Sequence, residues 1–123
     1  MDTISVRIPA FPQYVQVVRL VAAGLASRLK FTIDDIEDLK IAVDELTAYL
    51  TGTQGREGIL EISFTIHDDR LEIRGVGQFP AEIAIRTDLT AFSRQILETV
   101  ADHAALQQDN GLPSFTLVKN KRT

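Results

Sequence analysis

Cysteine is absent from the 123 residues, so disulfides, thiolate catalysis and cysteine-ligated zinc are excluded. The two histidines, His67 and His103, are far apart with no helical spacing, and no metal site is expected. The remaining candidates for chemistry are carboxylates, hydroxyls and glycines. Glu45 and Tyr49 are four residues apart in the run Asp38–Leu50, a spacing that sets both on one face of a helix. Read by themselves, they are a helix-surface carboxylate and a packing aromatic. Gly75-Val76-Gly77 follows an alternating segment and by itself reads as a strand bulge or turn. Arg19 lies off the apolar stripe of its segment, beside Ala23 and Ala26. It is either a solvated arginine or one that a partner can approach closely.

Charge and hydropathy narrow the function classes. Thirteen Lys and Arg against seventeen Asp and Glu give a net charge of -4, which argues against a nucleic-acid partner, since that needs a concentrated basic face. The N-terminus Met1–Ser5 lacks a basic start and a long apolar run. The longest apolar stretch, Val15–Ala26, is interrupted by Gln16 and Arg19 and is too short to span a bilayer. The expectation is a single domain over 1–123, cytoplasmic, with no membrane contact.

The elements that must position these residues follow from periodicity. Residues 3–8 alternate and end at Pro9 and Pro12, predicting a half-buried strand. A helix is predicted over 12–29, with Phe11, Val15, Val18, Val21 or Ala22, Leu25 and Leu29 on its stripe. A second covers 33–51, capped by Thr32, with Asp34, Asp35, Glu37 and Asp38 at its positive end and Ile36, Leu39, Val43, Leu46 and Leu50 inward. Residues 59–67 alternate, Asp68-Asp69 turns, and Leu71 and Ile73 continue a hairpin. A third helix is predicted over 88–107, with Leu89, Phe92, Ile96 and Val100 inward. Asn110-Gly111 turns into a last strand over 113–118, and the tail 119–123 is expected to fray. One-sided strands joined by a hairpin and by two successive helices predict an α+β two-layer sandwich. Its sheet is mostly antiparallel, with four or more strands and three helices on one face. The expected core includes Val18, Val43, Leu46, Leu60, Ile62, Phe64, Ile66, Leu71, Ile73 and Ile96.

The run Asp38-Leu39-Lys40-Ile41-Ala42-Val43-Asp44-Glu45-Leu46-Thr47-Ala48-Tyr49-Leu50 resembles the N-box helix of RsbW-type anti-sigma factors. These are serine kinases on the Bergerat, histidine-kinase-like ATPase fold. Val18-Arg19 matches the V-R pair of the preceding helix, Val100–Ala104 looks like the family's L-A-D-x-V, and Phe115–Lys119 is similar to its last strand. The resemblance spans nearly the whole chain and is nearest the actinobacterial sigma-F-type branch, whose nucleotide motifs are often eroded.

The resemblance implies that Glu45 is at the general-base position. The asparagine that helps hold Mg²⁺ four residues later is replaced by Tyr49, whose phenol is a poor ligand for that ion. The adenine-binding aspartate becomes Gly75, while Gly77 matches the first glycine of D-x-G-x-G. Ala91 and Ser93 stand where the lid glycines would receive phosphates, and the segment between Phe79 and Leu89 is short for a lid. These departures together imply a chain that is not an enzyme and takes no cofactor. It would hold an alternative sigma factor through Arg19 and be countered by an anti-anti-sigma (STAS-type) protein, within a stress-response circuit and with a possible homodimer. Two alternatives remain open: an active kinase that uses ATP and Mg²⁺ on the STAS-type antagonist, and an interaction domain of the same fold with no sigma partner.

Overall fold

A computed structural model describes residues 1–80 and 84–122. In chain order it contains β1 (Asp2–Pro9), α1 (Pro12–Arg28), α2 (Ile33–Thr51), β2 (Ile59–Ile66), β3 (Arg70–Gln78), α3 (Ala91–Val100), β4 (His103–Asp109) and β5 (Leu112–Asn120). Pro12 starts α1 because its missing N–H is one the first turn leaves unpaired anyway. Thr32 caps α2, its Oγ1 accepting the Asp35 N–H at 3.1 Å. Thr90 does the same for α3, accepting the Ser93 N–H at 3.0 Å.

The five strands form one antiparallel sheet in the order β1-β2-β3-β5-β4. The period of two sends Leu60, Ile62 and Phe64 of β2, and Leu71 and Ile73 of β3, beneath the helices. There they meet Val18 and Ala22 of α1, Leu39, Val43 and Leu46 of α2, Leu97 of α3, and Phe115 and Leu117 of β5. Each buried large side chain contributes ~1.5–3 kcal/mol of transfer free energy. The opposite sheet face carries Thr3, Ser5, Glu61, Ser63, Thr65 and Arg74 and is left uncovered. This is the predicted α+β two-layer sandwich. Among the described residues, no helix is long and apolar enough to cross a membrane.

Four details differ from the sequence expectation. First, the helix predicted over 88–107 stops at Val100, and residues 103–109 become β4. The cause lies downstream. Asn110 and Gly111 adopt φ of 54° and 78°, the two-residue turn whose twist suits a hairpin. The residues before it therefore pair with β5, Asp109 opposite Leu112 through His103 opposite Val118. Second, Phe92 is 73% exposed. With the cap at Thr90, the inward position of the first turn of α3 falls to Ser93 instead. Third, Ile66 and Ile96 only border the core. Fourth, the tail does not fray from 119. Lys119 and Asn120 belong to β5, and Lys119 is 2% exposed.

Candidate functional site

The candidate chemistry collects where the second half of α2 meets the start of α3. Helical spacing turns Glu45 and Tyr49 to the same side, and the Thr90 cap turns Ser93 toward them. The Ser93 hydroxyl donates to Glu45 Oε2 at 2.6 Å. The Tyr49 hydroxyl donates to Ser93 Oγ at 2.8 Å and accepts the Thr90 N–H at 3.0 Å. Thr90 Oγ1 in turn donates to Ser93 Oγ at 3.0 Å. Ser93 is 5% exposed, and its hydroxyl donates one hydrogen bond to the carboxylate and accepts two. Burial pushes the Tyr49 phenol up, yet the hydrogen bonds with the Ser93 and Thr90 side chains and the Thr90 backbone outweigh it. The net shift is downward from 10.0 despite the nearby Glu45 carboxylate.

Chemically, a carboxylate that takes a serine O–H at this distance makes the contact required of a general base toward a hydroxyl acceptor. The start of α3 adds the partial positive charge of a helix N-terminus, which favours phosphate oxygens. The arrangement therefore suits the acceptor and phosphate side of a phosphoryl transfer. It does not reproduce the metal side. The Tyr49 hydroxyl is engaged with Ser93 and Thr90, and among the described residues no group of three or more His, Asp or Glu could hold a metal.

The remaining sequence candidates fall elsewhere. Gly75 and Gly77 lie inside β3, not in a turn. Gly75 is opposite Phe115, and a Cβ added there would collide with the Phe115 ring. A Cβ at Gly77 would meet the ring of Phe79. The position of the family's adenine aspartate thus has a packing role, making room for a core phenylalanine. Ala91 is the exposed first residue of α3. The expected lid segment between Phe79 and Leu89 includes residues 81–83, which lie outside the described residues.

Arg19 does not stand free. Its Nε contacts Asp44 Oδ1 at 2.9 Å across the α1–α2 contact, and a third of its side chain is exposed. The pair borders a largely apolar groove of about 370 Å³ between these helices, lined by Pro12, Val15, Thr47, Ala48 and Thr51 among others. Sequence reasoning missed two residues here, Asp44 and Thr90. The signal for Thr90 was present, since a threonine three residues before Ser93 is an N-cap pattern. It was masked by starting the helix at 88.

Comparison with known proteins places these features in context. The serine-protein kinase RsbW of Bacillus velezensis is 30% identical over 131 aligned positions, covering 91% of this chain and 82% of that protein. The RsbW of Bacillus licheniformis is 31% identical over 132 positions, covering 90% and 81%. A shorter match to the RsbW of Bacillus pumilus is 41% identical over 78 residues, covering 59% of this chain and 48% of the relative. In that alignment the chain spans about half the length of the relative. No protein-family model matches the chain. The expectation of a non-enzyme is corrected by these relatives, which are serine-protein kinases by name. On sequence alone, the three altered nucleotide elements, at Tyr49, at Gly75 and at Ala91 with Ser93, point to a lost activity. The Glu45 carboxylate and the start of α3 that faces it are nevertheless brought together.

Proposed function

The chain belongs to the RsbW family of serine-protein kinases, and from that premise we propose that it is an anti-sigma factor with kinase activity toward a STAS-type anti-anti-sigma protein. It sequesters an alternative sigma factor in the cytoplasm and releases it when the antagonist engages the same chain. The observation that carries the kinase part is the 2.6 Å hydrogen bond from a serine hydroxyl to Glu45. A carboxylate in that geometry orients a serine oxygen and accepts its proton.

Mg-ATP, when bound, supplies the phosphoryl group. The chain's own residues do the rest. Glu45 orients the acceptor hydroxyl and takes its proton. Thr90 and Tyr49 tie the start of α3, with the partial positive charge of its N-terminus, to α2 beside Glu45. Gly75 offers adenine no carboxylate, so nucleotide recognition leans on the phosphates, and weak binding of the base is expected.

The sigma-binding part is carried by the Arg19–Asp44 pair at the mouth of the α1–α2 groove. An arginine with a third of its surface exposed, flanked by exposed Val17 and Leu20, has the composition of an interface anchor. The direct test is co-purification. The tagged chain, expressed with the sigma factor of its own genome, should retain it and release it on addition of the STAS-type protein. A chain that binds neither protein would refute the reading and favour the interaction-domain alternative.

A further inference from the structure

We infer that Ser93 is an internal stand-in for the substrate serine, an autoinhibitory contact that keeps Glu45 occupied until the start of α3 moves. This rests on the kinase reading above. Ser93 makes the contact with Glu45 that an incoming serine needs. It cannot itself be an effective acceptor. Its oxygen accepts from both Tyr49 and Thr90 while donating to Glu45, which leaves no lone pair free to attack, and the residue is 95% buried.

The contact is also built to open as a unit. Thr90, Tyr49 and Ser93 form a ring of hydrogen bonds that ties the first turn of α3 to α2. All of these bonds except the one to Glu45 join neutral groups, so breaking them strands no buried charge. A substrate serine that displaced Ser93 would give Glu45 an equivalent hydrogen bond, making the exchange nearly balanced for the carboxylate. The latch thus favours the closed site when the chain is alone and yields to a partner that brings its own serine.

The experiment uses the full chain with Mg-ATP alone, where water replaces Ser93 at Glu45, and reads phosphate release. Ser93→Ala should raise the rate about tenfold or more, because a hydrogen bond to a charged group no longer has to be broken first. Tyr49→Phe, which keeps the ring and removes only the hydroxyl, should raise it less and guards against a folding artefact in the first variant. Without nucleotide, the Thr90 amide should exchange with deuterium faster in both variants. A parent chain that releases phosphate, with Ser93→Ala equal or slower, would overturn the latch and leave the kinase reading standing. Absence of turnover in the parent and both variants would overturn the kinase reading, and the latch with it.

Discussion

The two ends of α2 both fasten α3, and they do so with opposite chemistry. At its start, α2 presents Asp35 and Asp38 to Lys119, whose Nζ lies 3.6 and 3.7 Å from the two carboxylates and donates to the Val100 carbonyl at 3.0 Å. Arg122 closes on Asp35 from outside at 3.1 Å. Asp35 and Lys119 are almost wholly buried. Toward its end, α2 presents Glu45 and Tyr49 to the hydroxyls of Ser93 and Thr90. In the first cluster the Asp35–Lys119 pair is held away from water, with Asp38 and Arg122 at its edge, and separating the pair leaves a buried carboxylate with Arg122 as its one remaining close cation. The second holds one partly accessible carboxylate among neutral donors. The charged cluster pins the end of α3, while the hydroxyls at its start can be exchanged for other hydroxyls without stranding a full charge.

The largest expected effect comes from breaking the pinned end. Lys119→Ala leaves Asp35 buried with Arg122 as its remaining cation, and it should cost roughly 3 kcal/mol or more of unfolding free energy in urea titration. A loss below about 1 kcal/mol would mean that the two ends are equally replaceable.

Next is the surface beyond either end. Arg19→Ala should weaken sigma-factor binding by roughly thirtyfold, as for an interface anchor worth ~2 kcal/mol. Stability should change by no more than about 0.5 kcal/mol, because the Arg19–Asp44 pair is partly solvated. Calorimetric binding and melting of one variant check both. Unchanged binding would assign Arg19 to the helix pair alone.

The smallest effect sharpens the exchangeable end. Hydrogen bonding holds the Tyr49 phenol below its ordinary 10.0 against the opposing effect of burial. Between the lowered folded value and 10, the folded chain has lost a proton that the unfolded chain still carries. Stability from this group therefore rises with pH across that window and is absent below it. Tyr49→Phe should remove that rise. Ultraviolet titration of the parent minus that of Tyr49→Phe should show a phenol ionising below 10.0, and a difference curve with no such early ionisation would contradict the hydrogen-bonded ring.

The sheet, its one-sided core and the order of its first five elements were legible from alternation and capping, because those signals are local. β4 was not, since its residues become a strand only through pairing with β5 across Asn110-Gly111. Lys119 looked like the start of a charged tail, and its burial depends on carboxylates more than eighty residues earlier. At the site, Glu45 and Tyr49 were paired by the N-box resemblance, with helical spacing in support. Ser93 was named as a lost glycine, and its bond to Glu45 could not be read from the sequence, because it depends on where α3 starts. Gly75 had the appearance of a damaged nucleotide motif, whereas in the fold it gives Phe115 room to enter the core.

If Glu45 acts on a serine hydroxyl, radiolabelled phosphate should pass from Mg-ATP to a purified STAS-type antagonist, and the parent chain compared with Glu45→Gln reads that step. The expected result is labelled antagonist with the parent and a rate lower by about 10²–10⁴ in the variant, with sigma-factor binding retained by both. Equal labelling by the variant, or none by the parent, would contradict it.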